Sequence, residues 1–215
     1  MYDHQLEAMK SDLFHYTLGM EAEARDDYET ALLEYGKALE NLEHLIADNH
    51  DSSSYQHMRY DSLIRIAVVQ REQNRPDAAT NTFRQAAQVM ERLSLQEPAN
   101  DEWKRELASQ RENIAGLIRD SDPQAAVGQC EKALVIRQEL FEYNLGDAGH
   151  MRSLALSYWN MAICYRLIND EAKGPDQLMN CYGVLRGAQA LGIELGPQEE
   201  DIYRRLEPLF RSQGF

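Results

Sequence analysis

Cysteine is scarce in this chain of 215 residues: Cys130, Cys164 and Cys181 are the whole complement, and no two form a CxxC pair. Each sits in an apolar helical pattern, so they read as reduced core residues and exclude both a disulfide framework and a cysteine-based zinc site. Bases are also in deficit, with 22 Lys and Arg against 36 Asp and Glu and a formal net charge of -14. The imbalance is concentrated in residues 1–52, which hold 13 of the acids and only Lys10, Arg25 and Lys37 among the bases. Such a field repels phosphates and anionic lipid, so neither nucleic acid nor a membrane surface is an expected partner. Missing as well is any run of about 18 apolar residues, the length that a spanning helix needs. The opening MYDHQLEAMKSDL is acidic where an export signal would be basic and then apolar, so a cytoplasmic setting is expected.

Catalytic signatures are absent too. There is no GxSxG, no P-loop, no GxGxxG and no HExxH, and His4, His15, His44, His50, His57 and His150 include no pair at i, i+4 spacing. The many carboxylates lie on helix surfaces, and none is singled out as half of an acid and base pair. No enzyme activity, no metal and no cofactor are expected.

What is present is a repeat. ALLEYGKALENL from Ala31, ATNTFRQAAQVM from Ala79, AVGQCEKALVIR from Ala126 and GPDQLMNCYGVL from Gly174 superimpose, and their first residues are 48, 47 and 48 positions apart. A second series lies upstream, with Gly19, Ala67, Ala115 and Ala162 spaced 48, 48 and 47. Two series sharing one period mark a repeat architecture. Within each unit apolar residues recur three and four apart, as in Leu32, Tyr35, Leu39 and Leu42, which is helical periodicity. Each unit is therefore a pair of helices. Proline falls near the first turn of the second helix in QNRPDA, DSDPQA and KGPDQ, and polar, breaker-rich stretches separate the units.

Small residues allow two helices to cross closely, so Gly19, Ala67, Ala115 and Ala162 are expected to face Ala31, Ala79, Ala126 and Gly174. Tyr35, Phe83, Cys130 and Leu178 then fill the space beside each crossing. The expected hairpins cover about 5–48, 54–96, 101–144 and 149–193 of a single repeat domain. Residues 197–212, with Ile202, Leu206, Leu209 and Phe210 at helical spacing, form a terminal helix that covers the last hairpin.

This pattern resembles the tetratricopeptide repeat family, in which a small residue on the first helix is followed by Ala, a large apolar residue and Ala on the second. Here the signature reads Gly19, Ala31, Tyr35, Ala38, then Ala67, Ala79, Phe83, Ala86, then Ala115, Ala126, Cys130, Ala133. The fourth unit departs from it, with Ala162, Gly174, Leu178 and Cys181, and the period is longer than that of the family. A weaker resemblance, carried by EPAN and Trp103, is to long-period repeats attached to bacterial signalling proteins. The first resemblance implies an all-α, right-handed superhelical array of antiparallel hairpins whose first helices line a concave groove that holds a peptide or partner protein.

Projected by spacing, the groove residues are Arg71, Arg119 and Arg166 in one row, with Glu23 in place of an arginine in the first repeat. Arg65, Asn113 and Asn160 form a second row, and His57, Arg105 and Arg152 a third. Trp159 projects towards the groove and Tyr158 towards the core. Arginine forks and asparagine amides hold carboxylates and peptide groups, so a protein or peptide partner with acidic character is expected. The competing reading is that these arginines are solvated and pair with Glu72, Glu112 and Asp120. The chain does not reproduce the carboxylate-clamp set of chaperone-tail binders, since its first repeat offers His15, Tyr16 and Met20. The alternative function is a regulatory or oligomerising part of a bacterial signalling, toxin or defence system, with head-to-tail self-association. An enzyme with an unrecognised site is a third reading without a supporting motif.

Overall fold

Helix boundaries in the computed structural model follow local capping chemistry. Asp27, Ser52, Asp122 and Asp147 each stand before a helix and accept a hydrogen bond from the backbone N–H three residues on, at 3.2, 3.3, 3.0 and 2.8 Å. This satisfies one of the orphan donors of the first turn. Pro76, Pro123 and Pro197 open the helices Pro76–Gln96, Pro123–Tyr143 and Pro197–Phe210, where a missing N–H costs nothing. The turns inside three of the hairpins place Asp26, Asn74 and Asn169 in the left-handed region, with φ of 58°, 57° and 55°. Short Asp and Asn side chains tolerate that conformation best after glycine.

The structure describes residues 2–49 and 52–211, with side chains from Lys10 onward. His4 and His50, and the end of the terminal helix at residue 212, lie outside those side chains and residues. The helices are α1 Tyr2–Glu23, α2 Tyr28–Asp48, α3 Ser53–Glu72, α4 Pro76–Gln96, α5 Asp101–Ile118, α6 Pro123–Tyr143, α7 Ala148–Leu167, α8 Lys173–Ala190 and α9 Pro197–Phe210. No strand occurs among the described residues, and none of their helices is long and apolar enough to cross a membrane. The fold is an all-α array of antiparallel helical hairpins. The chain divides into two compact units, Met1–Trp103 and Lys104–Phe215.

In the first unit, consecutive helices from α1 to α4 pack in order. Ala31, Tyr35, Ala67, Ala79 and Phe83 are fully buried. One expectation is corrected in detail: the space above Gly19 is taken by the ring of Tyr35, not by Ala31. A Cβ on Gly19 would lie 2.6 Å from two Tyr35 ring carbons, because the ring reaches back across the crossing to donate its hydroxyl to Glu23 at 2.6 Å. Gly19→Ala therefore destabilises the chain: overpacking costs about 1–3 kcal/mol, and the helix propensity gained recovers about 1 kcal/mol at most. Urea denaturation checks the sign, because propensity alone would make the variant more stable.

The EPAN stretch also has a structural role. The Glu97 carboxylate accepts hydrogen bonds from Ser53, from the Asn100 amide at 3.2 Å and from the Trp103 indole at 3.1 Å. The Ser53 bond leads these three in holding the carboxyl below its ordinary pKa. Trp103 in turn lies against His57, with ring centroids 4.8 Å apart.

In the second unit, α6, α7 and α8 pack in sequence, and α9 lies on α8 and α7. Ala115, Ala126, Cys130 and Ala162 are buried as the repeat predicts. At the fourth crossing the nearest atoms to a Cβ on Gly174 are the Ala162 carbonyl oxygen and Tyr165 Cβ, each at 3.9 Å. Two expectations need correction. Leu178 is only half-buried and leaves its hole partly open, while Cys181, Tyr182 and Leu185 carry the α8 contribution to the core. On α9, Ile202, Leu206 and Phe210 are buried at i, i+4 and i+8, but Leu209 falls off that stripe and is 55% exposed.

Candidate binding cleft

The incompletely filled fourth crossing creates a cleft of about 720 Å³ within the second unit. Trp159, Ile163 and Arg166 lie on one face of α7 at i, i+4 and i+7 spacing, which lines them up along the cleft. Ala162 and Gly174 line it as well, and neither fills it with side-chain bulk. Pro175 and Leu178 of α8 and Arg205, Leu206 and Leu209 of α9 complete the wall. The interior is thus mostly apolar, with polar groups at the edge. Trp159 is half-buried, its indole packed on the α7, α8 and α9 core yet lining the opening.

Charges at the rim differ in how far they are already engaged. Asp170 accepts from the backbone N–H of Lys173 at 3.0 Å and lies 3.9 Å from its ammonium. Arg205 pairs with Asp201 at 2.8 Å, one turn back on α9. Arg166 is exposed and forms no ion pair with the described residues, so its guanidinium is available to an incoming carboxylate.

Of the groove residues projected from sequence, the cleft collects Trp159 and Arg166. Asn160 is half-buried beside Trp159 and does not line it. Asn113 donates its amide to Gln110 on the same helix at 3.1 Å, and Arg119 is exposed just beyond the end of α5. In the first unit, Arg65 is engaged by its own fold, donating to the Tyr16 hydroxyl at 3.4 Å and lying 3.6 Å from Glu23. Arg71 pairs with the adjacent Glu72 at 3.4 Å, as the competing reading expects. Glu112, in contrast, is taken by Arg137 at 3.0 Å and not by any groove arginine. The residues that spacing did not select are Ile163, Pro175, Leu178, Arg205 and Leu209. Ile163 lies on α7 itself but outside the projected registers, whereas a projection from first helices cannot reach α8 or α9; for α8 the signal available was the weakened signature of the fourth unit.

Two histidines elsewhere lie beside carboxylates. His15 Nδ1 lies 2.6 Å from Glu34, and His57 Nδ1 lies 3.7 Å from Asp61. Among the described residues, no three His, Cys, Asp or Glu side chains are grouped so as to hold a metal ion.

The fold and its small-residue crossings are those of a tetratricopeptide-like repeat protein. No family model matches the sequence, and no curated protein matches it. Solved structures do. BtubC (BKLC) from P. vanneervenii superposes with a TM-score of 0.64 at 20% identity, over 86% of this chain and 66% of that one. The apo form of RapI gives a TM-score of 0.67 at 16% identity, over 95% of this chain and 50% of its own. The nearly identical TPR-like repeats of a Podosopora anserina kinesin light chain give 0.55 at 13% identity, over 93% and 85%. This chain thus spans less than two thirds of the length of the first two, and the likeness is one of fold.

Proposed function

We propose that this chain is a non-catalytic protein-interaction module, working in the cytoplasm, that seats a segment of a partner protein in the cleft between α7, α8 and α9. The observation that carries the reading is the pairing of an apolar, Trp-lined hollow of about 720 Å³ with an exposed Arg166 at its rim that forms no ion pair with the described residues. A hollow of that size takes one or two large side chains of a peptide segment. Trp159, Ile163, Leu178 and Leu209 would cover an apolar anchor, and Arg166 would hold a carboxylate beside it. Tryptophan and arginine at the centre of a contact commonly carry most of its affinity.

Affinity capture from native cells, followed by mass spectrometry, tests this reading. Trp159→Ala and Arg166→Glu are each expected to weaken capture of the same partner at least about tenfold, equivalent to about 1.4 kcal/mol. Arg119→Glu, exposed and outside the cleft, is expected to leave capture unchanged. Retention of the partner by both cleft variants, with helicity intact, would place the binding surface elsewhere.

A further inference from the structure

Cys130 of α6 and Cys164 of α7 bring their sulfur atoms within 3.5 Å of each other as free thiols. Both are at least nine-tenths buried, in a cluster with Ala115, Ala126, Val127, Met161 and Tyr165. The repeat shows what is unusual about this pair. In the first unit the corresponding positions, also 34 residues apart, are Tyr35 and Val69, which share one apolar cluster. The same contact between a second helix and the next first helix is made in the second unit by two cysteines. Cys181 shares none of this, standing alone in the separate α7, α8 and α9 core.

We propose that Cys130 and Cys164 are a redox modification site, at which a peroxide converts the thiol pair into a disulfide tying α6 to α7. A peroxide is the fitting class of oxidant because it is small enough to reach a thiol during brief local opening of packed helices. The thiolate of Cys164 attacks one peroxide oxygen and the O–O bond breaks. This leaves a sulfenic acid on Cys164 and releases water, once the departing hydroxide takes up the proton that Cys164 gave up on ionising. The sulfur of Cys130 then attacks the Cys164 sulfur, the S–O bond breaks, and the leaving hydroxide takes the Cys130 proton as a second water. Two thiols and one hydrogen peroxide thus become one disulfide and two waters. Bond formation requires the sulfurs to close by about 1.5 Å, towards the normal length of about 2.05 Å.

The assignment of roles follows from surroundings. The hydrogen bond between the two sulfurs, which either can donate, and the charge of Arg119 favour the thiolate of Cys164 against the cost of its burial. That same bond, together with burial, holds the proton on Cys130. Burial pushes the Cys181 thiol up to about 12, which leaves it unreactive. Because α7 also carries Trp159, Ile163 and Arg166, the cross-link would anchor one wall of the cleft to α6.

The experiment treats the intact native chain with excess hydrogen peroxide, alkylates it in denaturant and maps peptides by mass spectrometry without reduction. The expected product has lost the mass of two hydrogens, retains one alkylatable thiol at Cys181, contains a Cys130–Cys164 peptide and reverts with dithiothreitol. Cys130→Ser and Cys164→Ser are each expected to abolish that peptide. Three intact thiols after treatment that oxidises the denatured chain would overturn the proposal. So would a cross-link between two chains, or one that includes Cys181.

Discussion

Glu112→Ala lowers the stability of the second unit by about 3–5 kcal/mol, the cost of leaving one half of a buried ion pair behind. Arg137 of α6 is the stranded half. Its side chain is only 6% exposed, and one of its terminal nitrogens donates both to Glu112 at 3.0 Å and to the Ser109 hydroxyl at 2.9 Å. Its Nε is buried with no partner, so no spare acceptor stands by to replace the carboxylate. Glu112 also accepts from Ser157, which extends the same network from α5 and α6 to α7. Losing the carboxylate therefore unmakes contacts on three helices. Glu112→Ala combined with Arg137→Met is expected to recover most of the loss, since an apolar pair leaves no charge to desolvate. Urea denaturation of the single and double variants measures the coupling, and equal losses in the two would show that burial of Arg137 is not the cause.

That network also shows where sequence reasoning stops. Glu112 reads as a surface acid that could pair with a groove arginine, and nothing in the sequence singles out Arg137 as its partner. Both lie in a helical pattern that fixes periodicity but not which charged residue turns inward at a three-helix junction. The small-residue crossings were legible for the opposite reason. Gly19, Ala67, Ala115 and Ala162 recur at one period because close approach admits almost no alternative to glycine or alanine, so steric exclusion wrote itself into the spacing. The partner filling each crossing was less constrained. Tyr35 bends over Gly19 to reach Glu23, while Leu178 leaves a hollow beside Gly174.

The candidate site was legible in part on similar grounds. Arg71, Arg119 and Arg166 are all exposed, as one row at a single repeat register should be. Arg65 is engaged by Tyr16 and Glu23, residues of another helix that periodicity does not connect to it. The wall contributed by α9 was hidden because that helix belongs to no complete repeat and has no counterpart from which to project. Leu209 read as one more cap contact, yet its position one residue before Phe210 turns it away from the buried stripe and towards the cleft.

Asp12→Asn is expected to stabilise the chain at neutral pH. Asp12 reads as one of many solvated acids in the strongly negative amino-terminal segment, but it is 3% exposed, with Oδ1 buried and without a partner. Burial raises its pKa from 3.8 to about 6, against a smaller opposing influence from His15. Between those two values the folded chain binds the Asp12 proton while the unfolded chain has released it, so this residue's contribution to stability falls as pH rises from about 4 to 6. A shift of about two units corresponds to about 3 kcal/mol at neutral pH. Asparagine keeps the shape and never ionises. The stability difference between Asp12→Asn and the parent chain should therefore be largest above pH 7 and shrink steadily on acidification to pH 4.5. The comparison cancels the titration of the other carboxylates, which is common to both proteins. A difference that stays constant across that range would mean that Asp12 ionises as readily in the folded chain as in the unfolded one.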